Sequence, residues 1–290
     1  MSRSRARAVT ALTLLLATTA CTAGHQESPT GHPTAPPSAT RQAGQLTLPL
    51  DAYASSTAET YAVEDAQDIL MRRCMNDRGL EWKPLPRVSA QDIEPPNAGR
   101  YGAVEADAAD FGYHPRPEPA SVVRRNRAWD EREALPAEVQ HAAYGTSGKG
   151  GCLKAAQRQL AGDTAPPDYH AFNQLTGTAL EAARRAPEVR SAVRSWRTCM
   201  AKAGFDYEDP LAVAGSRRWE TADPTSTERD TARTDVACQR STKVMTAWAA
   251  AEIRIQRRLI KENADRLDEA KARKDRWLAA ARRVLNRADG

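Results

Sequence analysis

The chain has 290 residues, of which 42 are Lys or Arg, 37 are Asp or Glu, and only 41 are Leu, Ile, Val or Phe. That apolar share, about 14%, lies under the roughly 20% at which disorder is expected, but the near balance of charge removes the second condition for it. A collagen, a polytopic membrane protein and a cysteine-dense miniprotein are excluded, which leaves an Ala- and Arg-rich helical chain with a thin core.

Arg3, Arg5 and Arg7 precede an uncharged stretch, Ala11 to Ala20, centred on Leu12, Leu14, Leu15 and Leu16. It is shorter than the about 20 apolar residues that a bilayer span needs, and it has the form of the apolar region of an export signal over residues 1–20. Thr18, Thr19 and Ala20 lead into Cys21. The segment resembles a bacterial lipobox, with Thr18 where Leu is usual. The resemblance implies cleavage before Cys21 and a diacylglyceryl anchor on its sulfur. The alternative is an ordinary secretory signal cut nearby, which leaves an odd thiol. Five cysteines are present, and acylation of Cys21 leaves four that can pair.

Residues 22–45 hold 17 Ala, Gly, Pro, Ser or Thr among 24, with no large aliphatic or aromatic side chain. Such a stretch cannot bury enough surface to offset its ordering entropy. We assign a flexible tether to 21–50, a first cysteine-containing half to 51–186 and a second to 187–290. Without Arg3, Arg5 and Arg7 the formal charge falls from +5 to +2, so charge gives no argument for a nucleic acid partner.

A helix is expected over 55–78, ending at Arg72-Arg73-Cys74-Met75 and then Gly79-Leu80-Glu81-Trp82. The proline-rich segment 84–120 reads as disordered loop. Pro136 opens a short helix to Tyr144. The glycine-rich loop Gly145–Gly151 reads as a flexible approach to Cys152, which begins a helix to about Ala161. A helix over 168–186 follows, capped near Asp168, and another runs from Pro187, at its first position, to Ala203. This one ends at Arg197-Thr198-Cys199-Met200 and then Gly204-Phe205-Asp206-Tyr207, so seven positions of the Cys74 motif recur at an offset of 125. In both copies the glycine stands where a helix ends in a left-handed residue. The segment 209–219 is ambiguous.

From Pro224 onward Thr225 and Glu228 have capping-box spacing, and no Gly or Pro interrupts before Gly290. That permits a helix of up to about 60 residues. Ile260, Ala264, Leu267, Leu278, Ala281 and Leu285 keep coiled-coil spacing, but Lys271 and Lys274 occupy two seam positions. A bent helix or helical hairpin packed on the body is expected. Residues 241–290 carry 13 basic and 7 acidic side chains, consistent with a solvated face or with an arm for anionic lipid or wall polymers.

Cys74, Cys152, Cys199 and Cys238 are isolated from one another by at least 38 residues, unlike the paired cysteines of zinc sites. Export favours disulfides. Four cysteines allow three connectivities; if each half is a unit, the pairs are Cys74–Cys152 and Cys199–Cys238. The Gly145–Gly151 loop lacks the first glycine and the terminal Ser or Thr of a phosphate loop. His114, His141 and His170 have no spaced partners, and His25 and His32 sit in the tether. Glu105, Asp107, Asp110 and Glu118 cluster near Phe111 and Tyr113, where a carboxylate pair could serve glycoside hydrolysis. Trp82, Trp129, Trp196, Trp219, Trp248 and Trp277 are expected to be the largest core burials, with a carbohydrate-stacking face as the rival role. No catalytic, cofactor or metal residue is assigned.

The lipobox, the tether, the twin Cys-Met-x3-Gly motifs and the Ala/Arg-rich C-terminal helix resemble small secreted lipoproteins of actinobacteria. The resemblance implies a location and no activity. The expected fold is mainly α, a disulfide-stapled helical domain with a long C-terminal helix. The expected role is a non-enzymatic binding module on the extracytoplasmic face of the membrane, with an envelope protein as partner, such as an ABC-type transporter or wall machinery. Beside it stand a cell-wall hydrolase or carbohydrate binder, which needs an acidic cleft lined by Trp, and a small-ligand sensor, which needs an enclosed apolar pocket.

Overall fold

Helices are set out along the chain as α1 (Thr57–Asn76), α2 (Glu105–Ala108), α3 (Ala120–Glu133), α4 (Ala137–Tyr144), α5 (Gly151–Ala161), α6 (His170–Arg184), α7 (Pro187–Lys202), α8 (Pro210–Ala214), α9 (Ser226–Thr242), α10 (Val244–Glu262) and α11 (Ala264–Asp289). The computed structural model describes residues 46–289 apart from 104, 147 and 163–168, and no strand occurs among them. The signal, Cys21 and the tether over 22–45 lie outside the described residues. The expected mainly α, disulfide-stapled fold with a long last helix is present.

Both Cys-Met motifs fold in the same way. At the end of α1 the Leu80 N–H donates to Met75 O at 3.0 Å, and Gly79 has φ +73°. At the end of α7 the Phe205 N–H donates to Met200 O at 3.1 Å, and Gly204 has φ +84°. The repeat is therefore a helix-terminating turn that satisfies the last carbonyls and folds an apolar residue back on the helix. From these turns two disulfides reach out, Cys74–Cys152 to the start of α5 and Cys199–Cys238 to α9, each with Cα atoms 5.6 Å apart.

Each disulfide sits in its own core. One core gathers Leu70, Met71 and Met75 of α1, Trp82, Ala156 and Leu160 of α5, and Ala280 and Ala281 of α11. The other gathers Ala179 and Ala183 of α6, Val189, Trp196 and Met200 of α7, Val213, Trp219, and Val244 and Trp248 of α10. Trp196 and Trp248 are fully buried, Trp82 and Trp219 nearly so, and Trp129 and Trp277 are half-buried. Fully buried Ala66, Ala179, Ala183, Ala251 and Ala281 let helices approach closely, so tryptophans and alanines do the work of the missing aliphatics.

Two boundaries differ from expectation. Leu48 and Leu50 are buried, and the 3-10 turn Pro49–Tyr53 packs on α10 and α11. The folded chain thus includes residues 46–50, which the tether boundary at 50 had left outside. The halves also interlock, because α11 crosses back to pack on α1. The C-terminal stretch breaks twice, at Lys243 with a left-handed φ of +56° and at Asn263 with φ −125°. A left-handed lysine costs roughly 1–2 kcal/mol, and buried Val244 beside it shows what the turn secures. The seam residues Leu267, Leu278 and Ala281 are buried on α11, which packs against α1 in place of a second coil. Lys274, 7% exposed, reaches Glu59 at 3.8 Å and Asp275 at 3.2 Å. Glu59 also closes the real capping box of α1, where Ser56 Oγ accepts from Glu59 N and Glu59 accepts from Ser56 N.

Segment 84–120 is mostly loop, but it is held in place rather than disordered, because polar side chains bind its backbone or its neighbours at intervals. Asp68 accepts from Leu85 N at 2.8 Å and from Trp82 Nε1 at 3.0 Å. Arg125 donates to Pro86 O at 3.0 Å, and Ser89 N donates to Ser121 Oγ at 3.1 Å. Asn97 donates to Leu46 O at 3.0 Å, and Tyr101 OH donates to Glu252 at 2.8 Å. Prolines lower the number of N–H groups that need partners, and these bonds satisfy much of what remains.

The Gly145–Gly151 loop is likewise a tight turn and not a flexible lead. Thr146 and Lys149 exchange backbone hydrogen bonds. A Cβ on Gly145 would stand 2.0 Å from Lys149 O, and one on Gly151 would stand 2.5 Å from Gly145 N. Glycine is required by close backbone approach with positive φ, which leaves these amides turned on each other.

Candidate functional site

The pinned loop forms most of the wall of an open cleft of about 1060 Å³. Residues of 91–119 supply most of the lining, with Thr57 and Tyr61 from the N-terminal turns of α1, Val122 from α3 and Ala214 from the end of α8. Four carboxylates line it, Asp92, Glu94, Asp107 and Glu118, against the two cationic candidates Arg116 and His114. Pro95, Pro115, Pro117 and Pro119 give it stiff apolar walls. Of the acidic cluster expected from sequence, Asp107 and Glu118 meet in the cleft with Tyr113; Asp110 and Phe111 do not line it, and the Glu105 side chain is outside the description.

Most of the cleft's carboxylates are already engaged. Arg116 Nε lies 3.0 Å from Asp107. Ser121 donates to Asp92 at 2.5 Å, and Asn126 donates to Glu118 at 3.1 Å. Burial holds the Asp107 carboxyl above its usual value, Arg116 opposes this, and Glu94 reinforces it. No tryptophan lines the cleft; Trp82, Trp196, Trp219, Trp248 and Trp277 pack in or against the two cores, and Trp129 stacks under Arg132. A second depression, about 40 Å³ between Tyr53, Phe172 and Arg266, has room for little more than a water molecule.

Behind the cleft wall lie three acids: Glu228, which the sequence marked only as a capping residue, and Asp235 and Glu252, which periodicity and motif reading did not single out. Glu228 is fully buried; it accepts from Tyr113 N at 2.8 Å, His114 N at 3.1 Å and His114 Nδ1 at 2.7 Å. Gly112 allows this, since a Cβ there would meet Glu228 at 2.8 Å. Thr225 caps α9 as expected, accepting from Glu228 N at 3.1 Å, while the Glu228 side chain turns to the loop instead of completing a capping box. His114, without a sequence-spaced partner, is therefore clamped between Glu228 and Thr221 O, 2.9 Å from Nε2. Hydrogen bonding first to Thr221 O and then to Glu228 raises its pKa. His141 Nδ1 lies 3.3 Å from Thr146 Oγ1.

Asp235 is the second such acid. It is fully buried and accepts from Trp196 Nε1 at 2.8 Å, Gln239 Nε2 at 2.9 Å and Tyr113 OH at 3.2 Å, with no basic side chain among these donors. Burial pushes its carboxyl up to about 6 from 3.8, and the hydrogen bonds from Gln239, Trp196 and Tyr113 oppose this. The third acid, Glu252, binds Arg100 and Tyr101. The available signal was positional: Glu228 and Asp235 are seven apart, on the face of α9 that also buries Ala232 and Cys238.

A pH dependence follows from Asp235. A folded pKa raised above the unfolded value gives stability that is complete below about pH 4 and is lost as pH rises through 6. A shift of about two pH units corresponds to about 3 kcal/mol. His114 has the same sign, its contribution being lost above its raised pKa. Chemical denaturation across pH 4–7 is expected to show stability falling, and Asp235→Asn to flatten the slope; an unchanged slope in that variant would refute the assignment.

Among the described residues no group of three or more His, Cys, Asp or Glu comes together as a metal site, and no helix is long and apolar enough to cross a membrane. No family model matches the chain, and no curated protein or solved structure matches it.

Proposed function

We propose that the chain is a lipid-anchored protein of the extracytoplasmic membrane face, tethered through Cys21, and that its cleft binds a segment of an envelope protein. The observation that carries this reading is the open, proline-walled cleft built on a loop that buried acids hold rigid. A rigid concave surface loses little conformational entropy on binding. Its acidic lining favours an extended segment bearing Lys or Arg. Two stapled cores suit an exported domain whose aliphatic content is small.

The hydrolase reading keeps one point in its favour, the raised Asp107 carboxyl facing Glu94. Against it, Arg116 occupies Asp107, Ser121 and Asn126 occupy two others, and no tryptophan platform borders the cleft. Neither the open cleft nor the small depression beside Tyr53 is an enclosed apolar cavity with room for a ligand, so neither supports the sensor reading.

A photocrosslinking residue at Val122, within the cleft, is expected to capture a defined envelope protein in intact cells, whereas one at Arg190 is not. Glu94→Lys with Glu118→Lys should abolish the capture. Equal yields from both positions, or capture of lipid alone, would reject the cleft as a partner site. Separately, Cys21→Ser should make the protein's hold on the membrane fraction removable by high salt, which the acylated protein resists.

A further inference from the structure

The last half of α11 carries a charge pattern that neither packing nor helix polarity explains. Residues 276–289 contain Arg276, Arg282, Arg283 and Arg287 and a single acid, the terminal Asp289. All four are exposed, and none has an ion-pair partner among the described residues. Arg276, Arg283 and Arg287 repeat at spacings of seven and four, which sets them on one stripe. Leu278 and Ala281 are buried on another side, where Val284 and Leu285 pack on the core. Attraction to the helix dipole is confined to about the last turn. It covers Arg287 and leaves the others without a role in the fold. Five other basic residues of the C-terminal region are paired, Arg254 with Glu188, Arg258 with Glu262, Arg273 with Glu269, Lys271 with Asp275 and Lys274 with Glu59; Arg257, Lys261 and Arg266 form no ion pair among the described residues but stand apart from the run of arginines at the end of α11.

The stripe stands on the helix beside which the chain enters the domain. The 3-10 turn Pro49–Tyr53 packs on α11, and Tyr53 borders the same depression as Leu267. From Leu267 to Arg276 is about 14 Å along the helix. Residues 22–45 place 24 residues between Cys21 and the described chain, a covalent reach of at most about 80 Å, so a domain held through residue 21 has this face within reach of the surface that holds it.

We infer that the arginine stripe of α11 docks the domain on an anionic bilayer. No large apolar side chain is exposed there, so the contact is electrostatic and the helix rests on the headgroups without inserting. The biological setting rests on the anchored reading, but vesicle binding by an unacylated chain is measured independently of acylation, so each can fail alone.

The test is co-sedimentation of the Cys21→Ser chain with phosphatidylglycerol–phosphatidylcholine vesicles and with phosphatidylcholine alone. Binding is expected on the first only, and it should weaken with salt as screening shortens the range of the charges. Arg276→Gln with Arg283→Gln and Arg287→Gln should lower partitioning on the order of 100-fold. Arg124→Gln with Arg127→Gln and Arg190→Gln, an equal change of net charge elsewhere, should leave it intact, with unfolding midpoints verifying that both variants fold. Absence of binding, equal binding to neutral vesicles, or equal losses in the two triple variants would overturn the proposal.

Discussion

Reduction of the two disulfides is expected to unfold the domain or to remove most of its stability. The bonds close stretches with sequence separations of 78 and 39 residues. In the chain-entropy model these restrict the unfolded chain by about 4.5 and 3.9 kcal/mol. Net stabilities of domains run about 5–15 kcal/mol, so even partial realisation of these terms decides whether the fold persists. The cores make the loss hard to absorb. Cys152 is fully buried and Cys238 is 1% exposed, and each tie fixes a motif turn to the next core helix. Thermal unfolding with and without reductant measures the effect. Cys74→Ser with Cys152→Ser should cost more than Cys199→Ser with Cys238→Ser, because its loop is longer. Equal midpoints for oxidised and reduced protein would contradict the whole account of how a chain this poor in aliphatics folds.

The staples were legible in the sequence because the Cys-Met-x3-Gly turns announce themselves twice and the halves pair within themselves. Helix starts with chemical caps were legible too, as at Pro187 and Thr225. What could not be seen was the crossing of α11 to α1. It depends on breaks at Lys243, which is held left-handed without the φ freedom of glycine, and at Asn263, whose φ of −125° any residue adopts, so no Gly or Pro marks either one. The rigidity of 84–120 was hidden for a related reason. Among its partners are single side chains 17 to 152 residues distant, and no local pattern marks them. In the cleft, Asp107, Glu118 and Tyr113 were found from composition alone. Asp92 and Glu94 stand at least 11 residues before Glu105, so only the folding of the loop brings them to the other acids.

The clearest case of such a long-range partner is Glu252, and its removal is expected to cost about 3–5 kcal/mol, the range for leaving one member of a buried ion pair alone. The carboxylate is fully buried and accepts from Arg100 Nε at 3.0 Å, Tyr101 OH at 2.8 Å and Gln256 Nε2 at 2.8 Å. Gln256 in turn accepts from Leu50 N at 2.9 Å. One side chain thus ties the entry of the chain, the cleft loop and α10 together, beneath a Tyr101–Trp248 stack with centroids 5.5 Å apart. In Glu252→Ala the Arg100 guanidinium, 14% exposed, keeps its charge without a counterion, and the Tyr101 hydroxyl loses its acceptor. Arg100→Met strands the carboxylate instead and should cost a comparable amount. The double variant Arg100→Met with Glu252→Met leaves no charge uncompensated, so it should be more stable than the sum of the single losses predicts. Hydrogen exchange should quicken over 91–103 in Glu252→Ala before the cores open, since the loop loses its anchor while both disulfides remain. Additive losses, or exchange that quickens equally in all helices, would mean that Glu252 is an ordinary core contact and that the cleft wall is held by something else.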